Sequence, residues 1–166
     1  MTRAVETATI INGKLDAPLE TVYELHEYNG RFALERTEDG QERTVDESKW
    51  SLLDWRPFPE GETWREFYTR VAAAMDGVAE RHSDKELPLF CVHGGTLSNI
   101  VVWWLGIPLD VLPERTCFAA APGSVSILNK NQYGNPLIEG LNDRAHLATL
   151  RQQEAEDDTE NRTAEP

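Results

Sequence analysis

His93 is the residue whose surroundings best suit it to chemistry. It follows an apolar run, Leu87 to Val92, and precedes Gly94, Gly95 and a helix-like segment in the stretch FCVHGGTLSNIVVWWLG. A short, continuous apolar run suits a strand covered on both faces, as in a parallel sheet. Open α/β sheets bind ligands at the carboxyl ends of their strands. The glycines allow close backbone approach, and a helix start offers free N–H groups and a positive dipole end. An imidazole, open backbone and a helix N-terminus therefore converge on one point, and a phosphate would fit there. A lone histidine at a strand end is also commonly just a hydrogen-bonded residue. These residues alone leave both readings open.

The elements that must position this junction can be read from periodicity. Thr2 to Leu15 reads as a helix with Val5, Ala8, Ile11 and Leu15 on one face, ended by Pro18. Leu19 to Leu25 reads as a strand. From His26 to Glu60 the chain is polar and irregular, with a short helix expected around Asp46 to Leu53. Thr63 to Arg81 is the clearest helix. Thr63 and Glu66 form a capping box, and Trp64, Phe67, Val71, Met75 and Val78 form the buried stripe. Thr96 to Leu105 reads as a further helix, and Pro108 and Pro113 bracket a short one. Phe118–Ala121, Ser124–Asn129 and Pro136–Leu141 read as strands, with turns at Gly123 and Gly134. The alternation predicts an α/β domain over 1–150 with helices packed on a mostly parallel sheet. Residues 151–166 read as a disordered acidic tail.

Composition narrows the function. The 166 residues carry a formal net charge of −13. Six acids and two arginines in 151–166 account for −4, which leaves −9 for the body. That balance argues against a nucleic-acid partner and against long-range attraction of anionic substrates. A phosphate site here must use local positive groups. Cys91 and Cys117 set no disulfide framework and read as reduced, buried, small hydrophobes. No cysteine–histidine spacing suits a metal. No apolar stretch approaches the roughly 20 residues of a membrane span, and MTRAVETATI has no signal core. A cytoplasmic protein is the expectation.

Several stretches, in order, resemble the histidine phosphatase superfamily in its phosphoglycerate-mutase-like branch. LPLFCVHGGTLSNIVVWWLGIP is similar to its second histidine motif, and TRAVETATII to its arginine-bearing helix. LHEYNG resembles its L-x-E segment, and EGETWREFYTRV the start of its long helix. GSVSIL and LNDRAHL resemble its closing strands. The resemblance implies a covalent phosphohistidine, formed from a phosphorylated substrate and then hydrolysed. It implies Arg3, His93 and Gly94 as phosphate ligands, with Glu27 as the acid that protonates the leaving oxygen. It implies no metal and no cofactor, a small phosphorylated substrate, and no membrane or nucleic-acid partner, and it is compatible with a homo-oligomer. Only Tyr28 and Asn29 separate Glu27 from Gly30, where many members have three residues. Glu24 or a solvated loop carboxylate are the competing readings. His146 matches a family histidine expected to be structural.

The family's R-H-G triplet, which supplies the nucleophilic histidine and a second arginine, is absent from these residues. RHS at Arg81–Ser83 ends a long amphipathic helix and has no strand before it. The expected fold is thus a three-layer α/β sandwich lacking the family's first strand and first helix, with unpaired sheet edges and a marginal core. Met1 falls within a family motif. The leading expectation is an N-terminally shortened phosphomonoesterase, active in its full-length form and inactive as this chain. Two alternatives stand beside it. One is a pseudoenzyme that binds a phosphorylated ligand or a protein partner. The other is a fragment completed by another chain. Nothing in the sequence identifies the substrate.

Overall fold

The computed structural model describes residues 2–29, 46–49, 51–57, 61–83, 85–112 and 114–148. The acidic tail and residues 30–45 of the polar stretch lie outside them. The chain divides into two compact units after Phe118.

The first unit is built on two packed helices. Helix α1 (Thr2–Leu15) precedes them, and α2 (Trp64–Arg81) and α3 (Gly94–Trp104) form the pair. Helix α2 starts where its capping box dictates. The Thr63 hydroxyl accepts from the Glu66 N–H at 3.1 Å, and the Glu66 carboxylate accepts from the Thr63 N–H at 2.8 Å. Its stripe is the core: Phe67 and Val71 are fully buried, and Trp64, Met75 and Val78 nearly so. Facing them, α3 buries Ile100, Val101 and Val102. Burying a large aliphatic or aromatic side chain contributes about 1.5–3 kcal/mol, so this pairing dominates the unit. The Trp103 indole N–H donates to Asp76 at 2.7 Å and ties the two helices together.

Helix α1 has the predicted bounds but buries no residue. Of the expected stripe, Ala8 and Ile11 are half-buried, while Val5 and Leu15 are exposed. The helix ends at Asp16, whose φ of 49° is left-handed and whose N–H returns to Asn12 O at 2.9 Å.

Three expected strands are not paired among the described residues. Leu19–Leu25 is irregular and ends in a 3-10 turn at Tyr23–Leu25. Leu87–Val92 joins no ladder, and Leu87 is 92% exposed. Phe118–Ala121 is likewise unpaired. An apolar run prepares a segment for burial in a sheet, but only a neighbouring strand makes it one. The short helix expected near Asp46 is a 3-10 turn over Glu47–Lys49, and the one between the prolines is a 3-10 turn over Leu109–Val111.

The second unit contains an antiparallel hairpin of β1 (Val125–Lys130) and β2 (Pro136–Asp143). Its register pairs Leu128 with Ile138 and Lys130 with Pro136, and shifts on either side of Ile127. Asn131 organises the turn by accepting from Tyr133 N at 2.9 Å and Asn135 N at 3.0 Å. Gly134 there has a φ of +82°, which L side chains avoid. The described sheet is this pair, so the architecture is mixed α/β. No helix among the described residues is long and apolar enough to cross a membrane.

The cap of α2 yields an expectation for stability. Thr63→Ala lowers unfolding free energy by about 1 kcal/mol, measured by urea denaturation at neutral pH. The Thr63 N–H, and after it Arg56, hold the Glu66 carboxyl below its ordinary value of 4.5. A depressed folded-state value means that this stabilisation is complete above that pH and is lost as the pH falls below it. Glu66→Gln therefore destabilises at pH 7, and the difference from wild type shrinks in acid.

Candidate active site

The residues from Glu24 to Asn29 pass beside the start of α3, and most of their backbone polar groups are engaged. Arg70 of α2 donates to the carbonyls of Glu24 and His26, the latter at 3.1 Å. The Thr96 hydroxyl lies 3.3 Å from both Leu25 O and His26 O. The Tyr28 hydroxyl donates to Glu62 O at 2.8 Å, and its ring lies against Trp64 and Phe67. Burial, and secondarily the Glu62 charge, push the Tyr28 phenol up from its ordinary value. The hydroxyl therefore remains a donor. The Asn29 carbonyl accepts from the Glu62 N–H at 3.2 Å, and the Asn29 N–H donates to the Glu62 carboxylate at 2.8 Å.

Held this way, Glu27 reaches α3. Its Oε2 accepts from the Gly95 N–H at 2.9 Å, and its Oε1 from the Tyr28 N–H at 2.8 Å. A carboxylate at a helix N-terminus is favoured by the free N–H groups and the dipole. His93 is the N-cap residue of α3. Its backbone is extended, its carbonyl accepts from Leu97 N at 2.9 Å, and its side chain makes no capping bond. Its imidazole is half-buried, with no hydrogen bond among the described residues. Gly94 is the first residue of the helix.

The structure thus brings Glu27 to the His93–Gly94–Gly95 junction. It does not bring Arg3 there. Arg3 is exposed on the first turn of α1, and no hydrogen bond or ion pair links it to the junction among the described residues. Of the competing carboxylates, Glu24 is exposed and takes part through its carbonyl. His146 lies exposed in a 3-10 turn of the second unit. Cys91 is half-buried and Cys117 exposed rather than buried, and burial pushes the Cys91 thiol up. Among the described residues no group of His, Cys, Asp and Glu is placed to hold a metal.

An open cleft of about 680 Å³ beside the start of α2 includes Lys49, Trp55 and Arg65. Its cations are already met: Arg65 pairs with Asp54 at 2.6 Å, and Lys49 with Asp46 at 3.1 Å. It offers little to an anion.

Sequence reasoning missed Arg70, Glu62 and Thr96. Glu62 was visible only as part of a helix start. Arg70 lies between Phe67 and Val71, where a cation on the margin of an apolar stripe signals a specific partner.

The closeness of Glu27 to α3 depends on Gly95. A Cβ there would collide with Glu27 Oε1 and stand 3.2 Å from Cε1 of the fully buried Phe67. Gly95→Ala is expected to displace the carboxylate while leaving α3 helical. Loss of the Glu27-dependent pH titration of the residue-95 amide, read by NMR, would show it; an unchanged titration would refute it.

Residues 1–144 match the histidine phosphatase superfamily (branch 1). No curated protein matches the chain. Among solved structures, YhfR of Bacillus stearothermophilus is similar in fold, with a TM-score of 0.60 and 23% identity. That match covers 87% of this chain and 71% of YhfR. With the match running from the first residue through the His93 junction to the end of the hairpin, the chain belongs to the histidine phosphatase superfamily, branch 1.

Proposed function

We propose that this protein is a phosphomonoesterase acting through a phosphohistidine, with the nucleophilic histidine supplied by an R-H-G segment outside these 166 residues. The observation that carries this reading is the convergence of Glu27 with the α3 N-terminus beside His93. A histidine nitrogen displaces the ester oxygen at phosphorus. The N–P bond forms, the P–O bond breaks, and Glu27 gives its proton to the departing oxygen. Water then attacks phosphorus, the Glu27 carboxylate takes its proton, the N–P bond breaks and inorganic phosphate leaves. His93 and the Gly94 N–H hold phosphoryl oxygens as charge builds. Arg3 joins them once α1 is seated on a completed sheet. The substrate is a small phosphorylated molecule, and no metal takes part.

The same reading extends to the fold. In the active protein the layers are helix, mostly parallel sheet and helix, with Leu87–Val92 as an interior strand. Supporting this are the exposure of Leu87 and of Leu89, and an α1 that buries nothing. An interior strand without its neighbour leaves such surfaces open.

Intact mass of the protein from its native cell, followed by p-nitrophenyl phosphate hydrolysis, tests the proposal. A longer protein is expected to turn over. In it, His93→Ala lowers kcat about 10²–10³-fold and Glu27→Gln about 10²–10⁴-fold. The 166-residue chain alone forms no phosphohistidine. Robust hydrolysis by that chain would overturn the external nucleophile, and full activity in Glu27→Gln would overturn the acid. A native mass of 166 residues without turnover would favour the pseudoenzyme reading.

A further inference from the structure

We propose that Arg70, braced by Glu62, is a positioning residue that sets where the Glu27 carboxylate stands, an inference that rests on Glu27 being the acid. All three nitrogens of the Arg70 fork are engaged. One edge serves the carbonyls of Glu24 and His26, on the near side of Glu27. The other meets the Glu62 carboxylate through Nε at 3.2 Å and Nη2 at 2.6 Å. The face of the guanidinium lies over Phe67, 4.8 Å from the ring centroid. Glu62 in turn grips the far side of Glu27: Asn29 through its carboxylate and its N–H, and Tyr28 through its carbonyl. The clamp therefore fixes the residues before and after Glu27, and the free direction for its side chain is toward Gly95.

The chemistry of the pair suits alignment better than adhesion. Both side chains are mostly buried, 19% and 15% exposed. A pair withdrawn from water adds little net stability, because desolvation offsets its attraction. What it supplies is direction, since a planar guanidinium meets two carbonyls and both oxygens of a carboxylate with four donors in fixed directions, whereas an ammonium has three that rotate freely. The two charges also cancel, so the clamp brings little net charge to the junction.

The test is an NMR pH titration of the isotopically labelled 166-residue chain without substrate. In the wild type the Gly95 amide is expected to shift as the Glu27 carboxyl titrates, and Glu27→Gln to abolish that response. Arg70→Lys keeps the charge and removes the fork. It should lose the Gly95 response while the amides of Val71, Met75 and Val101 keep their shifts. Glu62→Ala should lose the response too, and Glu62→Gln, which retains an acceptor, should restore it. An undiminished response in Arg70→Lys overturns the proposal. So does a loss accompanied by collapse of the core resonances, which would make Arg70 a structural staple. If Arg70→Lys does not fold, a response retained in Glu62→Ala overturns it. The readout involves no turnover, so failure of the clamp shows in the Gly95 amide, whereas failure of Glu27 as the acid shows in the hydrolysis assay and leaves the carboxylate a positioned group without that role.

Discussion

Backbone carbonyls taken out of water must find donors, and the passage of residues 24–29 beside two packed helices turns on that requirement. The donors come from both helices. Arg70 reaches out from α2, and Thr96 from the first turn of α3. Neither would be in place without the apolar contact that sets the helices side by side, with Phe67, Val71 and Val101 sealed from solvent. The hydrophobic stripe fixes the distance between the helices, and the polar groups on its margin use that distance to hold a loop. The candidate site follows from that order.

The local electrostatics run against the protein's overall charge. A chain of net charge −13 offers an anion little long-range attraction. At the junction the attraction is short-ranged, from amide groups at a helix start and one imidazole. The Glu27 carboxylate already answers part of that field. Gly95 lets it do so at contact distance, which connects a missing side chain to the placement of a charged one.

What could be read from the sequence divides along a physical line. The bounds of α1, the capping box and stripe of α2, and the turn glycines at 123 and 134 were all legible, because each is decided by residues near one another in the chain. The runs at 19–25, 87–92 and 118–121 were read as strands from composition, yet a strand is a relation between two segments and composition describes one. The site divides in the same way. The His93–Gly94–Gly95 junction is contiguous and was visible. Glu27 was singled out by family resemblance, since it meets Gly95 across 68 residues that no periodicity spans. Arg70 and Glu62 show their purpose only when the loop lies between them.

That long separation also bears on the order in which the molecule assembles. The helices and the hairpin close through near neighbours, while the bond from Glu27 to Gly95 closes a long loop at an entropic cost that only the finished helix pair can offset. The 24–29 segment thus docks onto a helix pair already in place, and a single bond made across 68 residues of chain marks the closure of that unit.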